Sequence, residues 1–369
     1  MREFRQVEDS LELLLPEALN KILARSIYAP EDLPHFSRAT MDGYAVFARD
    51  TFGASSSLPA LLEIMGHVEM GKAPQFRLEK GKCASISTGG MLPEGADAVL
   101  MLEHTQEIDG GLIEVLRPVA VGENVIGIGE DVKRGELLLE DGRRLSPGDL
   151  GLLSALGITR VPVKRGLSVG VISTGDEVVN PEELPPLGKI RDVNSITVSS
   201  IVRALGHSPH HLGRARDNFY DLKALVERAL NESDIILISG GSSIGTRDLT
   251  IQVLRSFEGF RLLCHGIMIS PGKPTIMGNI GGKPVIGLPG HVASAFVIML
   301  IIVRPLINYI SGMKWEEAVR YFSFPLKSSR NIESQPGRED YVRARLKKGE
   351  KGYMIEPIFG KSGLISTIV

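Results

Sequence analysis

The chain is poor in cysteine, has no excess of charge of either sign, and has no apolar run long enough to span a bilayer. Cys83 and Cys264 are the only cysteines and no CxxC occurs. That excludes a disulfide framework, disfavours a cysteine zinc site and fits a reducing cytosol. Lys plus Arg is 42 and Asp plus Glu is 44, a formal net charge of −2. With no Lys/Arg tract, this balance gives no support to nucleic-acid binding. The longest uncharged apolar run, Val292 to Val303, falls short of the roughly 20 residues of a membrane span and reads as a buried helix. The opening MREFRQVEDSLELL has no apolar signal-peptide core. These absences predict a cytoplasmic protein with no membrane or nucleic-acid partner.

What is present is ordinary globular material. Apolar residues are 43% and charged residues 23% of 369 residues, a length that suggests two or three domains. The 41 glycines and 21 prolines imply many tight turns. Leu11, Leu14, Leu15, Ala18, Leu19, Ile22 and Leu23 recur at helical spacing, so a first helix is expected behind a cap at Asp9 or Ser10. From about 40 to 137 short β runs alternate with turns such as Pro93-Glu94-Gly95 and Asp109-Gly110-Gly111. Pro147 to Leu156 is expected to be a helix ended by Gly157.

From about 167 strands alternate with helices. Leu167–Ser173, Asp234–Ser239 and Pro284–Leu288 read as strands. Ile196–Leu205, Asp221–Leu230, Leu249–Phe257 and a long His291–Ile310, kinked at Pro305, read as helices. The alternation predicts a parallel α/β sheet covered on both faces. Tyr341–Leu346 and Tyr353–Glu356 suggest a closing β domain.

Three Gly-rich loops follow strands of this region: Ser173-Thr174-Gly175-Asp176-Glu177, Ser239-Gly240-Gly241-Ser242-Ser243-Ile244-Gly245 and Gly287-Leu288-Pro289-Gly290-His291. In a parallel sheet they converge at the carboxyl edge, where backbone N–H groups and helix N-termini favour anions. Asp176, Glu177 and Asp248 add carboxylates, which beside a phosphate nest suggest Mg²⁺. Any one loop could be a simple turn with capping acids; three together favour an anionic ligand. None is GxGxxG after the first strand or GxxxxGK[ST], so dehydrogenases and P-loop NTPases are disfavoured. His207-Ser208-Pro209-His210-His211 reads as a polar loop rather than a metal site, and Asp42-Gly43 by itself reads as a hairpin turn.

Ordered motifs narrow this. Thr40-Met41-Asp42-Gly43-Tyr44-Ala45, Ser87-Thr88-Gly89, Gly95-Ala96-Asp97-Ala98-Val99 and Gly129-Glu130-Asp131-Val132 come first. The Ser173–Glu177 loop, Arg191-Asp192-Val193-Asn194-Ser195, the Ser239–Gly245 loop, Pro271-Gly272-Lys273-Pro274 and Gly287–Gly290 follow. Across essentially the whole chain the set resembles the MoeA family of molybdopterin molybdenumtransferases, which includes the E domain of gephyrin. The resemblance implies an α/β-plus-β, elongated, multidomain chain. It has a linker domain (1–28 and 136–166), an inserted β domain (29–135), an α/β molybdopterin-binding domain (167–317) and a C-terminal β domain (318–369). It implies a homodimer with composite sites, with molybdopterin adenylyltransferase and cofactor-dependent enzymes as partners. The implied reaction consumes molybdate and adenylylated molybdopterin, requires Mg²⁺ and releases AMP.

By motif matching, Asp42, Thr88, Glu177, Asp248 and Lys273 are the implied catalytic residues. Asp131, Ser173, Thr174, Gly175, Asp217, Gly240, Gly241, Ser242, Gly245, Pro289, Gly290 and Ser362 would bind substrate. Glu177, Asp217 and Asp248 would hold the metal, and Lys273 would neutralise oxyanion charge. Three departures from the family stand out. Ser270 replaces a lysine, Val292 replaces a proline, and the chain stops at Val369, soon after Lys361-Ser362-Gly363, so the C-terminal domain is expected to be incomplete or differently completed. The alternatives are an adenylyltransferase, a non-catalytic scaffold or a tungstate-using relative.

Overall fold

The computed structural model describes residues 3–108, 110–240, 244–349 and 352–369, without the side chains of residues 244–248. The chain forms two compact units. One is Ser26–Glu140 with Gly151–Thr159; the other is Met1–Arg25, Asp141–Leu150 and Arg160–Val369.

The first unit is built on a six-stranded sheet, in the order Ala98–Met101, Gly43–Val46, Lys82–Ile86, Ala60–His67, Leu112–Val115, Thr105–Ile108. One face buries Tyr44, Val46, Leu62, Cys83, Leu100 and Ile113, and the other buries Ala45, Ala84, Ile86 and Val99. That period-two alternation is why these short runs are strands. Asp42-Gly43 is not a hairpin turn. Gly43 lies in the strand, pairing with Ile86 and Met101 on either side.

The second unit contains a mixed six-stranded sheet. Its strands are β1 (Ser168–Thr174), β2 (Ser208–Ala215), β3 (Ile235–Ser239), β4 (Arg261–His265), β5 (Ile276–Ile280) and β6 (Lys283–Leu288). The order is β2-β1-β3-β6-β5-β4, with β2, β1, β3 and β6 parallel and β5 antiparallel to both of its neighbours, β6 and β4. The sheet is therefore only partly parallel. The Gly281-Gly282 turn joins β5 to β6 too tightly for a crossover. Helices α1 (Asn194–Ala204), α2 (Phe219–Glu232), α3 (Ile244–Arg255) and α4 (Val292–Ile298) follow β1, β2, β3 and β6. Alternate residues of β1 and β3 point to opposite cores: Val169, Val171, Ile235 and Leu237 to one, Ile172, Ile236 and Ile238 to the other. A sheet covered on both faces requires this near-continuous apolar text.

Three further expectations are corrected. The first segment is not a helix. Ser10–Leu14 is a strand antiparallel to Arg160–Lys164, and Leu15–Ala18 is one 3₁₀ turn. Pro16 supplies no N–H for a longer helix, and pairing with another strand overrides the leucine spacing. The helix after β6 does not simply kink at Pro305. Met299–Val303 is a π-helical turn before Arg304–Ile310, and the Arg304 N–H reaches back to the Met299 carbonyl. A wider turn relieves the clash of the proline ring with the preceding turn. The whole stretch Val292–Ile310 is apolar enough to cross a membrane by composition, but it packs in the core through Ala295, Ile298, Met299, Val303, Leu306 and Ile307. The histidine-rich stretch is not a loop: Ser208 to Ala215 form β2, and His207 is buried before it.

At the C-terminal end Ala344–Gly349 and Gly352–Pro357 form a hairpin, and Lys327–Ser328 runs parallel to its second strand. Ile269–Ser270 pairs with Glu339–Asp340.

His207 gives a pH prediction. Its Nδ1 accepts the Leu167 N–H at 3.2 Å, and burial, then the charges of Arg144 and Lys21, push its pKa from 6.5 down to about 4. A depressed histidine contributes no penalty above its unfolded pKa. As pH falls from about 6.5 toward 4, the unfolded chain takes up a proton that the folded one refuses. The unit should lose about 2–3 kcal/mol between pH 7 and pH 4.5 from this group. Denaturant titrations of the wild type and His207→Asn at both pH values check this; an equal acid loss in the two proteins contradicts it.

Candidate functional site

From the end of β1 the chain crosses to β2 on one side, while from β3 it crosses past β6 to β4 on the other. Loops leaving adjacent parallel strands in opposite directions open a crevice at the carboxyl edge. A cavity of about 420 Å³ lies there. Ser173, Thr174 and Glu177 line it from β1 and its loop, Ser239 and Gly240 from the end of β3, and Gly290 and His291 from beyond β6. Asp192 and Asn194, at the start of α1, complete its polar wall, and Val178, Ile190 and Val292 are among its apolar residues.

The polar wall is tightly bonded. The Asp192 carboxylate accepts Ser173 Oγ at 2.5 Å and the Ser195 N–H at 3.0 Å. The Asn194 amide donates to the Gly290 carbonyl at 2.9 Å. Thr174 Oγ1 and Asn194 Oδ1 are buried without a hydrogen-bond partner among the described residues.

At the rim, Gly175 turns the chain out of β1 with φ +127°, and Asp176 and Asp217 exchange backbone-to-carboxylate bonds at 3.4 and 3.3 Å. Burial, with the nearby charges of Asp176 and Glu177, raises the pKa of Asp217. Among the described residues no three His, Cys, Asp or Glu side chains form a ready metal cluster. Gly241 and Ser242 lie outside the described residues. Gly245 and Asp248 fall in the first turns of α3, where side chains are not described.

A second, larger cavity of about 990 Å³ lies beside the first and shares Gly290 and His291 with it. Lys273, Pro289, Ser294 and Ser362 line it, with Arg338, Asp340 and Arg343 from the C-terminal segment. His291 Nδ1 and Ser362 Oγ are 2.7 Å apart, and the Ala293 N–H donates to the Ser362 carbonyl at 3.1 Å. Arg343 bonds the Thr367 hydroxyl and, at 3.3 Å, the Gly360 carbonyl. Ser270 also borders this cavity. Hydrogen bonds from Ser334, then Arg338 and Ser270, hold the Asp340 carboxyl below its usual range.

In the β unit Asp42 Oδ1 accepts both the Thr88 N–H, at 2.7 Å, and the Thr88 hydroxyl, at 3.0 Å; these bonds lower the Asp42 pKa. Asp131 is exposed, and its N–H donates to the Leu33 carbonyl at 3.1 Å.

The structure therefore gathers Ser173, Thr174, Glu177, Gly240 and Gly290 in one cavity, and Lys273, Pro289, Gly290 and Ser362 in the other. Residues 2–157 match the model of the MoeA N-terminal region (domain I and II), and residues 325–369 match the MoeA C-terminal region (domain IV). Residues 170–309 match the family described as "Probable molybdopterin binding domain". The chain belongs to the MoeA family.

Its MoeA character extends to whole-chain comparisons. It is 35% identical to a molybdopterin molybdenumtransferase of Haemophilus influenzae, over 92% of this chain and 82% of that protein. A second enzyme of that name, from Bacillus subtilis, is 32% identical over 83% of this chain and 71% of the relative. The crystal structure of a MoeA molybdopterin biosynthesis protein of Pyrococcus horikoshii superposes with a TM-score of 0.84 at 32% identity, covering 100% of this chain and 89% of that one. Sequence reading of the MoeA motifs missed Asp192, Asn194, His291, Ser294, Arg338 and Arg343 as site residues. Arg191–Ser195 was a visible motif, but nothing in it says which side chain faces the cavity. Arg338 and Arg343 sit in a segment with no motif, and the fold alone brings them to Lys273.

Proposed function

We propose that this MoeA protein is a molybdopterin molybdenumtransferase that inserts molybdate into adenylylated molybdopterin and releases AMP. The observation that carries the reading is the pair of adjoining cavities with different linings. The cavity with Lys273, Arg338, Arg343 and the Ser294 and Ser362 hydroxyls suits a tetrahedral dianion. The one at the sheet edge, with apolar walls and a glycine turn, suits the organic part of the substrate. Gly290-His291 lies in both linings, so an oxyanion in one chamber adjoins the substrate in the other.

In this reading Lys273 and Arg343 hold the oxyanion and offset its charge as it is transferred. Gly240, at the end of β3, brings backbone close to the phosphates. Burial, then the charges of Asp176 and Glu177, raises the Asp217 pKa, and a divalent cation bound beside these carboxylates would offset that repulsion. Glu177 and Asp217, with Asp248 of α3, would hold Mg²⁺, which supplies charge neutralisation at the phosphoanhydride when bound. A homodimer in which Asp42, Thr88 and Asp131 of the partner close the site belongs to the same proposal. So do the four-domain boundaries at 28/29, 135/136, 166/167 and 317/318, and a cytoplasmic location.

The experiment is AMP release from adenylylated molybdopterin by purified protein with Mg²⁺, with molybdate or tungstate added. Release that requires the oxyanion supports the transferase. Its absence with both oxyanions, in folded protein and authentic substrate, overturns it in favour of the scaffold reading.

A further inference from the structure

The cavity at the sheet edge has two buried polar atoms without a hydrogen-bond partner among the described residues. Thr174 is 5% and Asn194 9% exposed, and neither Thr174 Oγ1 nor Asn194 Oδ1 has a partner among the described residues. The two groups line the same cavity. A polar atom taken out of water without a partner is unfavourable, so a pair of them in one cavity marks where a ligand makes its hydrogen bonds.

The direction of the asparagine is settled by its other end. Its Nδ2 donates to the Gly290 carbonyl at 2.9 Å. Turning the amide over would set oxygen against oxygen there, so Oδ1 is the end left for a ligand, and it can only accept. The support behind it is firm. Asn194 opens α1, and the neighbouring Asp192 carboxylate fixes that opening through the Ser195 N–H at 3.0 Å and Ser173 Oγ at 2.5 Å. Gly240 keeps the adjoining hydroxyl accessible: a Cβ there would sit 2.8 Å from Thr174 Oγ1. Val178, Ile190 and Val292 supply apolar surface for the faces of a flat ring.

We propose that Asn194 is a specificity-determining residue that selects the heterocycle of the substrate through an amino N–H donated to its Oδ1, with Thr174 Oγ1 as the adjoining contact. The inference rests on the assignment of this cavity to the organic part of the substrate. Two rings of an adenylylated pterin carry such a donor, the 2-amino group of the pterin and the 6-amino group of adenine. A ring with a carbonyl in that place would meet Oδ1 oxygen to oxygen. Sites built around a buried hydrogen-bonding group reject analogues lacking the matching group far more strongly than apolar pockets reject a change of size.

The test is calorimetric affinity for two pairs of probes, without turnover. AMP and IMP differ in a 6-amino against a 6-oxo group; neopterin and its lumazine counterpart differ in a 2-amino against a 2-oxo group. The wild type should prefer the amino member of one pair by about tenfold or more, and that pair identifies the ring. Asn194→Leu, of similar volume, should bring that preference within about threefold, whereas Thr174→Val, which leaves the Asn194 amide and its bond to the Gly290 carbonyl in place, should keep a preference above about threefold. A wild type that binds both members of both pairs equally overturns the inference whatever the variants do, as does a preference that survives Asn194→Leu. Failure of the wild type to bind any of the four overturns the assignment of the cavity, and the inference with it.

Discussion

Lys273→Ala is expected to reduce molybdate-dependent AMP release at least a hundredfold in kcat/KM for molybdate. Lys273 stands in the loop before β5, where its backbone carbonyl accepts the Ile267 N–H at 2.9 Å and the Gly272 carbonyl accepts the Thr275 hydroxyl at 2.7 Å. The loop is therefore fixed at its base while the side chain borders the larger cavity. Removing one preorganised donor from an oxyanion site typically costs about 3–4 kcal/mol. Position 270, at the start of this loop, is serine, whose hydroxyl bonds Asp340 and adds no charge to the cavity. Lys273→Arg, which keeps the charge but not its shape, should recover part of the rate. A fall of less than about threefold in Lys273→Ala would remove Lys273 from the oxyanion site.

The second large effect is structural. Gly43→Ala should unfold the β unit or destabilise it by more than about 3 kcal/mol, read as loss of its cooperative unfolding transition. A Cβ at Gly43 would lie 1.9 Å from the Leu100 carbonyl oxygen and 2.8 Å from its carbon, both backbone atoms of the paired strand. Backbone in a central strand cannot shift as a flexible side chain can. A variant as stable as the wild type would mean that the two strands are not packed in this way. Asp42 adjoins Gly43 and depends on it for position, so a destabilised variant should also lose the Asp42–Thr88 pair.

Gly43 shows where sequence reading stopped short. Asp-Gly is a strong hairpin signal, and nothing local reveals that this glycine is needed because the backbone of the paired strand leaves no room for a Cβ. The N-terminal leucines failed for a related reason, since a distant strand at Arg160–Lys164 captured a segment whose spacing alone reads as helix. Buried strands fared better. Ile235–Ser239 and Ser168–Thr174 are near-continuous apolar text, which a sheet covered on both faces demands, and both were found within a residue or two.

The glycine loops of the site were visible because turns leave a composition signature. Their division between two cavities was not. It depends on the strand order β2-β1-β3-β6, which periodicity does not encode. The same holds for Arg338 and Arg343. They come from the end of the chain, and the pairing of Glu339–Asp340 with Ile269–Ser270 brings them beside the Lys273 loop. Asn194 was legible as part of a motif, but its orientation depends on the Gly290 carbonyl, 96 positions away in sequence.

The measurement that bears most directly on the account is the location of a heavy oxyanion in crystals soaked with tungstate, by anomalous scattering at a tungsten edge. A peak is expected in the larger cavity, within contact of Lys273 and Arg343. A peak confined to the sheet-edge cavity at Gly240, or no ordered tungstate beside Lys273 at saturating concentration, would contradict it.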